Sequence, residues 1–378
     1  MLGIIFGVGA VIAMISIGAG ARQTALSNIK SLGLNNIIIS NPSGANLGNN
    51  KILLNQNDLS TINNSVPTVK YSTGVVRNES EVKYNSITKS TEVWGTSPDY
   101  FRMMDLKIKQ GGYFSNLDNK KCNKVCLLGN TIAKKLFKSE NPLGKMVEVD
   151  NIWLRVVGIL KYKPVRSVNN NEINFNNRIF IPLNSLQKRF NRKAKKPELT
   201  QIITQIDKSK NIIPSSNLIE SILSNNHGET KNFELLVPEQ LLQQKQQTLE
   251  IFNIVMGAIA GISLLVGGIG IMNIMLASVM ERTNEIGIRR AVGANQSDIR
   301  KQFLTESVLI SLMGGVLGII IGFILSSIVS LYSGWNTIIT FWSILLSVGI
   351  SSLVGIIFGY FPAQKAARLN PINALRHE

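Results

Sequence analysis

The residue types that most often carry catalysis are sparse in this sequence. Its two histidines, His227 and His377, are too few for a multi-histidine metal site, and a histidine-based catalytic triad is not expected. The sequence has no phosphate-binding loop of the form G-x-x-x-x-G-K-[ST], because Gly144-Lys145 is followed by Met146 and lacks the upstream glycine. We therefore expect no catalytic site, no metal and no cofactor bound by this chain.

The two cysteines, Cys122 and Cys126, are separated by three residues. On a single strand their Cα atoms would lie about 13 Å apart, which is too far for a disulfide. In a turn or a helix they could pair, and an oxidising compartment would allow the bond. The sequence leaves both the disulfide and the pair of unpaired thiols open.

Charged and apolar residues combine at helical spacing in one short stretch, residues 281–294. Glu285 precedes Arg289 by four residues, the favourable order for an ion pair on a helix, and Gly293 is of a type that ends helices. A short amphipathic helix of this kind is either a solvated connector or a docking element for a protein partner. The residues proposed for docking are Glu281, Arg282, Glu285, Ile286, Gly287, Arg289, Arg290 and Gly293.

If this helix docks on a partner, the chemistry of its residues suggests their roles. Ile286 would bury apolar area in a groove of the partner, and Arg289 or Arg290 would meet carboxylates at the rim of that groove. Gly287 would permit close approach of the partner's backbone. Residue chemistry alone does not separate docking from a plain connector.

Three long stretches without a charged residue flank this loop and the polar middle of the chain: residues 2–21, 251–280 and 307–364. About 20 helical residues cross a hydrocarbon layer ~30 Å thick, so each of the first two stretches predicts one membrane helix. The third breaks where Tyr332 and Trp335 mark a headgroup boundary, which predicts two helices. The predicted membrane helices are residues 1–21, 251–280, 307–331 and 339–361, with a turn at 332–338.

The distribution of basic residues predicts the orientation of these helices. Lysines and arginines occur in the loop 281–306 and in the tail 362–378, whereas the turn at 332–338 has none. The positive-inside rule places the loop and the tail in the cytoplasm and the turn outside. By parity, residues 22–250 lie outside. The net charge of +17 does not oppose this arrangement, because long domains translocate regardless of charge.

The first predicted span allows a second interpretation. Ala19-Gly20-Ala21 follows an apolar stretch and resembles a signal-peptidase site, so the segment could be a cleaved signal peptide. No basic residue precedes the apolar run, and residues 22–30 continue in a helix-compatible pattern, which favours a retained membrane helix. The sequence also begins inside this span, which is consistent with a truncated start.

Residues 22–250 predict a mixed fold. A strand–helix–strand order near the beginning recurs at residues 199–237, and a separate block of helix, turn and strands lies between the two. We therefore expect a large α+β extracytoplasmic domain of two lobes between the first and second membrane helices. The Gln- and Leu-rich segment after Pro238 predicts a helical stalk that runs directly into the second span.

Glycines recur at four-residue spacing within the predicted spans. Small residues at this spacing let membrane helices approach closely and pack against each other or against a second subunit. The spans carry no charged residue, which argues against an ion-conducting or proton-relaying path. The glycines predicted to pack are Gly257, Gly261, Gly314, Gly318, Gly322, Gly355 and Gly359.

Several segments resemble one known family. The loop sequence Glu-Arg-Thr-Asn-Glu-Ile-Gly-Ile-Arg-Arg-Ala-Val-Gly-Ala at residues 281–294, followed by Phe-Leu-Thr-Glu-Ser at 303–307, resembles the FtsX-like permeases in their macrolide-exporter, MacB-type branch. The sequence Val-Trp-Gly-Thr-Ser-Pro-Asp-Tyr-Phe at 93–101 and the segment 127–145 resemble the extracytoplasmic core domain of that branch. The tail at 362–376 also matches, so the resemblance covers nearly the whole chain.

This resemblance implies a multi-pass permease subunit of an ABC transporter in the bacterial plasma (inner) membrane. No ATPase domain is fused to the chain, so the resemblance implies a separate cytoplasmic ATPase subunit that uses ATP and Mg. A second permease copy would complete a homodimer or a heterodimer. A periplasmic adaptor and an outer-membrane channel are further candidate partners, and a nucleic-acid partner is not expected.

The mechanism implied by the resemblance is mechanotransmission. ATP-driven motion of the ATPase would push on the loop helix, and the second span with its stalk would carry that motion to the outer domain. The exported substrate would be an amphiphile such as an antibiotic, a peptide or a lipid. The alternative is an FtsX-type regulator that activates an envelope enzyme without transport. In both cases the chain itself is not an enzyme.

Overall fold

The computed structural model describes residues 2–42, 53–168, 171–190, 198–228, 233–333, 337, 340–371 and 374. The chain divides into two compact units. The membrane unit comprises Met1–Ala25 and Lys245–Glu378, and the outer unit comprises Leu26–Gln244.

Helices occur in both units. In chain order those of the described residues are α1 (Leu2–Lys30), α2 (Gln56–Ser65), α3 (Asp99–Met103), α4 (Asn116–Lys120), α5 (Asn130–Phe137), α6 (Leu183–Phe190), α7 (Ile212–His227), α8 (Pro238–Glu281), α9 (Thr283–Ala291), α10 (Gln296–Ser333) and α11 (Phe341–Ala367).

Four helices of the described residues, α1, α8, α10 and α11, are long and apolar enough to cross a membrane. This confirms the prediction of four membrane helices. Of the predicted turn at 332–338, residues 334–336 and 338 lie outside the described residues.

The helices are longer than the apolar stretches that predicted them. The predicted third span, residues 307–331, is the apolar part of α10, which already begins at Gln296. Polar side chains start this helix, because Asp298 Oδ2 accepts a hydrogen bond of 3.2 Å from the backbone N–H of Asn295. Likewise, α8 is continuous from Pro238, so the predicted stalk and the second span are one helix. The limits of an uncharged stretch therefore mark where a helix enters the lipid, and the helix itself can extend further.

The outer unit is built on strands. They are β1 (Asn36–Ser40), β2 (Val69–Tyr84), β3 (Ile87–Thr96), β4 (Ile108–Gly111), β5 (Val125–Leu128), β6 (Met146–Val149), β7 (Ile152–Leu160), β8 (Arg166–Val168), β9 (Asn171–Ile173), β10 (Arg178–Pro182), β11 (Gln201–Ile206) and β12 (Glu234–Leu236).

Ten of these strands form one sheet in the order β12-β1-β11-β2-β3-β10-β5-β7-β4, with β6 pairing both β2 and β7. The pairs β3–β10 and β5–β7 are parallel, and the other pairs in this sheet are antiparallel. Strands β8 and β9 form a separate hairpin. Together with its helices this sheet makes the predicted α+β domain.

Strand β2 belongs to both lobes of the outer unit. Its first half, from Val69 to Val75, pairs with β11, and its second half, from Val76 to Tyr84, pairs with β3. The β6–β7 hairpin turns at Asp150 and Asn151, which have φ of 44° and 66°. Positive φ at two successive residues is what a tight two-residue hairpin requires, and Asp and Asn tolerate it better than most residues.

The core of the outer unit contains a cluster of aromatic rings. Tyr100 and Phe101 on α3 are buried beside Phe180 on β10 and Trp94 on β3. The rings of Phe101 and Phe180 lie 5.5 Å apart with planes at 72°, an edge-to-face arrangement that aromatic pairs favour. This cluster contains all the aromatic residues of segment 93–101, and these residues therefore stabilise the core of the outer unit.

The two cysteines are unpaired and buried. Cys126 lies within β5, whereas Cys122 follows α4 with a φ of 51°. Burial raises the pKa of Cys126 well above its ordinary value, so this thiol is held in its neutral form. The alternative without a disulfide is therefore the one observed.

Candidate functional site

The short helix α9 lies between two membrane helices and contains most of the residues predicted to dock. The chain leaves α8 at Glu281, and Arg282 precedes the first residue of α9. The two helices are nearly continuous, because the N–H of Arg282 donates to the carbonyl of Ser278 and that of Ile286 to the carbonyl of Arg282. The backbone hydrogen bonding of α8 therefore leads directly into α9.

Gly293 ends α9 with a backbone conformation that favours glycine, φ 111°. Its N–H donates to the carbonyl of Arg290 at 3.2 Å, and the N–H of Ala294 donates to that of Arg289 at 3.0 Å. This pair of bonds is the Schellman arrangement, which satisfies carbonyls left over at a helix end. A side chain at this position would strain the turn, so the glycine fixes the length of α9.

The charged residues of α9 bond mainly to the chain itself. Arg289 donates from Nη2 to Glu285 at 2.6 Å, one turn back, and from Nη1 to Gln302 on α10 at 2.6 Å. Arg282 donates from Nη1 to Glu306, also on α10, at 3.3 Å. These bonds fasten α9 to the first turns of α10.

Arg290 makes a different contact. Its Nη1 donates to the backbone carbonyl of Ala367, the last residue of α11, at 2.7 Å. The bond is half-buried. Either Arg289 or Arg290 was predicted to meet carboxylates on a partner, and the structure shows Arg290 bonded to another helix of its own chain.

Ile286 requires a correction of the docking prediction. Its side chain is only 3% exposed and belongs to a buried cluster with Ile299 and Phe303 of α10 and with alanines of α11. Gly287 is buried as well. Neither residue is available to a partner's groove, because this chain itself covers the face of α9 on which they lie.

The exposed apolar residues of this segment are Ile288 and Val292, which are 52% and 85% exposed. They are four residues apart and therefore lie on one side of the helical turn. Neither residue was among those predicted to dock, because Ile286 was expected to be the apolar anchor of the helix. The spacing was the available signal, because Ile288 is followed by another large apolar residue, Val292, four positions later, whereas Ile286 is followed by Arg290. Glu281, Arg282, Glu285 and Arg289 are also exposed.

Glycines of α10 pack against α1. A methyl group added to Gly318 would lie 2.8 Å from the carbonyl oxygen of Ile5, and one on Gly322 would lie 2.8 Å from that of Gly9. Gly314 would meet Ile4 at 3.1 Å. These distances are too short for a side chain, so the two helices touch through their backbones.

The other predicted glycines fall into two groups. Gly355 and Gly359 on α11 lie against Ser311 and Ser307 of α10. Added methyl groups on Gly257 and Gly261 of α8 would meet no atom of the described chain within 4 Å. The structure thus uses the first pair within the chain and leaves the second pair available for packing with another molecule.

Other glycines pack in the same way and were not predicted, among them Gly3, Gly267 and Gly268. A methyl group on Gly267 of α8 would lie 2.6 Å from the backbone of Gly3 in α1, and the reverse substitution would be equally close. Gly268 faces the ring of Phe358 on α11. Since Gly3 and Gly267 are far apart in sequence and belong to no shared spacing pattern, only the packed helices reveal the pair.

The outer unit carries a partly buried cluster of charged side chains around Trp94. Glu92 Oε2 accepts hydrogen bonds from Arg178 Nε at 2.7 Å and from Trp94 Nε1 at 3.0 Å. The guanidinium carbons of Arg178 and Arg77 lie 4.1 and 4.2 Å from the centre of the Trp94 ring. Both are cation–π distances.

The pKa of Glu92 lies below its ordinary value. Burial by itself raises it, but the charge of Arg178 and the hydrogen bonds from Trp94 and Arg178 outweigh that effect. Burial also raises the pKa of Tyr100 beside it. The cluster therefore holds a carboxylate, two guanidiniums and a neutral phenol. Among the described residues no group of His, Cys, Asp and Glu is placed to hold a metal ion.

Two protein families match this chain, and together they cover most of it. Residues 1–222 match the MacB-like periplasmic core domain, and residues 257–371 match the FtsX-like permease C-terminal family. The first match includes α1 and most of the outer unit, and the second includes α9 and its exposed residues.

Individual relatives give the same picture. The chain is 34% identical to the macrolide export ATP-binding/permease protein MacB of Bdellovibrio bacteriovorus. The match covers all of this chain and 59% of that protein. The chain is also 32% identical to the ABC transporter permease YknZ of Bacillus subtilis, covering all of this chain and 94% of YknZ. The crystal structure of the periplasmic region of MacB from Actinobacillus actinomycetemcomitans aligns with 59% of this chain and 97% of that one, at 21% identity and a TM-score of 0.48.

Proposed function

The chain belongs to the ABC transporter permeases that join a MacB-like periplasmic core domain to an FtsX-like permease region, and we propose that it couples a separate cytoplasmic ATPase to its outer domain. It is a multi-pass protein of the inner membrane. In this proposal, ATP-driven motion enters at α9 and is used outside the membrane to export an amphiphilic substrate.

The observation that carries this proposal is the two-sided nature of α9. On one side Ile286 is buried among residues of α10 and α11, and Arg289 and Arg282 bond to α10. On the other side Ile288 and Val292 are exposed. A helix fixed to its own membrane helices and apolar on its free side is suited to receive a push from a docked protein.

Helix α8 supplies a path from the cytoplasmic loop toward the outer domain. It runs without a break from Pro238 to Glu281, 44 residues, which corresponds to a length of about 66 Å. A continuous helix transmits rotation and displacement better than a jointed one. Coupling also requires an element with two states that both sites bias, and we propose that a dimer of such permeases provides it.

The partners follow from the same reasoning. The ATPase is proposed to be a separate subunit that uses ATP and Mg, which the match to 94% of the permease YknZ supports. Gly257 and Gly261 meet nothing within the described chain, so they support packing of α8 against a second permease copy, in a homodimer or a heterodimer. A periplasmic adaptor and an outer-membrane channel remain candidate partners outside.

The nature of the substrate is proposed from the relatives and from the membrane helices. A relative is named as a macrolide exporter, which supports an amphiphilic cargo such as an antibiotic, a peptide or a lipid. The apolar stretches of the spans hold no charged residue, so a polar path through the membrane has no support. The regulatory alternative of FtsX type is not favoured, because the outer unit matches the MacB-like core domain.

Capture of the ATPase tests the proposal. The tagged chain, purified from its native membranes, is expected to retain a Mg-dependent ATPase activity that disappears when loosely bound proteins are stripped off. Val292→Asp should weaken this retention about thirtyfold, since truncating an interface anchor costs ~2 kcal/mol. Leu117→Asp, at another exposed apolar residue, in the outer unit, is the control and should retain the activity. A stripped chain that still hydrolyses ATP, or full retention by Val292→Asp, would contradict the proposal.

A further inference from the structure

We propose that Arg290 is a positioning residue that fastens α9 to the cytoplasmic end of α11, so that α11 moves whenever α9 is pushed. The inference rests on the proposed function for the origin of the push. It goes beyond that function in naming which membrane helix receives it, because the coupling considered so far runs through α8 alone.

The bond from Arg290 to α11 uses a carbonyl that the helix itself leaves free. The last four carbonyls of an α-helix lack partners within the helix, and α11 ends at Ala367. Arg290 Nη1 donates to the carbonyl of Ala367 at 2.7 Å. Basic side chains are favourable at helix carboxyl ends, because they satisfy such carbonyls and face the negative end of the helix dipole.

The neighbouring arginine shows that this contact is specific to Arg290. Arg289 points to Glu285 on its own helix and to Gln302 on α10, with both distances at 2.6 Å. Two adjacent arginines thus bond to two different membrane helices. Arg289 provides a natural control, because it has the same chemistry and is one residue away.

Apolar packing places Arg290 next to α11. Ile286, one turn earlier on α9, belongs to the same buried cluster as Ala363, Ala366 and Ala367. Alanine at these positions lets neighbouring helices approach the end of α11 closely. The hydrogen bond therefore closes the end of an interface that is already packed.

Helix α11 is in turn held to α10. Ser307 Oγ on α10 donates to the carbonyl of Gly355 at 3.0 Å, and Gly315 lies against Ser351. A displacement of α9 that keeps the Arg290 bond must carry the end of α11 with it. Without the bond, α9 keeps its apolar packing on α11 through Ile286, but its side-chain hydrogen bonds lead to α10 through Arg282 and Arg289.

Amide hydrogen exchange of the full-length chain tests this link without any transport assay. In Arg290→Ala we expect backbone amides in the last turn of α11, residues 364–367, to exchange about tenfold faster, the size of effect expected for a lost charge-assisted bond. Arg289→Ala should leave that turn unchanged. Arg290→Lys keeps a charged donor at shorter reach and should restore part of the protection.

A second measurement separates positioning from mere local stability. In the complex with the captured ATPase, Mg-ATP with vanadate should change the exchange of α11 in the wild-type chain. Arg290→Ala should bind as much ATPase and lose this nucleotide-dependent change in α11.

The outcomes are distinct. Unchanged exchange in α11 in Arg290→Ala would overturn the inference. So would a loss of ATPase capture as large as that of Val292→Asp, since Arg290 would then belong to the docking surface. If the wild-type chain captures no ATPase but Arg290→Ala still loosens α11, the proposed function fails and the link between the helices stands.

Discussion

The outer unit and the membrane unit are packed by opposite means. In the outer unit the core is built from large side chains, among them Tyr100, Phe101 and Phe180, which are fully buried. In the membrane unit many of the largest side chains are exposed, such as Phe323, and the contacts between helices are made by glycine, serine and alanine.

This difference follows from the solvent of each unit. In water, burial of apolar area is the main driving force of folding, so large side chains collect in the core. In lipid, an apolar side chain gains little by leaving the hydrocarbon, and helices associate where small residues let their backbones approach. The same residue type therefore has opposite consequences in the two units, and substitutions can test this.

The largest effect is expected in the aromatic cluster. Phe180→Ala should destabilise the outer unit by about 3–5 kcal/mol, because it removes a fully buried ring and leaves a cavity. Unfolding by urea, followed through tryptophan fluorescence, measures the loss. Tyr162→Ala removes an exposed ring of the same unit and should cost less than about 0.5 kcal/mol. Equal effects of the two substitutions would show that ring burial is not what holds this unit together.

In the membrane unit, enlarging a residue should do the damage. Gly318→Leu is expected to cost about 1–3 kcal/mol, because the new side chain would meet the backbone of α1. Gly257→Leu adds the same side chain where the chain offers no neighbour, so the unfolding free energy of the monomer should not change. Titration with a denaturing detergent compares the two. If Gly257→Leu weakens association of two copies but not the monomer, the free face of α8 is a subunit contact.

The smallest effect concerns pH. The pKa of Glu92 is lowered in the folded chain, so its charged form contributes stability at pH above the ordinary value of 4.5. That contribution is lost as the pH falls through the folded pKa. Because the Glu92 side chain is partly exposed, we expect the pH-dependent part to be below about 1 kcal/mol.

Unfolding of the wild-type chain and of Glu92→Gln, measured between pH 7 and pH 3, gives this contribution as the difference between the two pH profiles. The profiles should converge at the acid end. The contact of Gly318 with α1 involves no ionised group, so Gly318→Leu should keep the wild-type pH profile. If the Glu92→Gln profile instead runs parallel to the wild-type profile from pH 7 to pH 3, the charge of Glu92 does not contribute to stability.

The membrane helices were predictable from the sequence because the thickness of a bilayer fixes the length of an apolar run. The distribution of basic residues gave the orientation, and the strand and helix patterns of the polar middle of the chain gave the α+β character of the outer domain. The apolar run could not give the start of α10, since that helix begins in a polar segment beyond the lipid. An apolar run reports the solvent around a helix and says nothing about where its hydrogen bonding stops.

The sequence by itself determined that residues 281–294 form a short amphipathic helix that glycine ends, because helical period and the conformation of glycine are local properties. Only the tertiary structure decided which of its apolar residues are covered. Ile286 lies in the chain's own core and Ile288 in the open, although both are isoleucines two residues apart. Likewise, Gly318 meets another helix and Gly257 does not. Burial depends on neighbours that are distant in sequence, and a local pattern cannot name them.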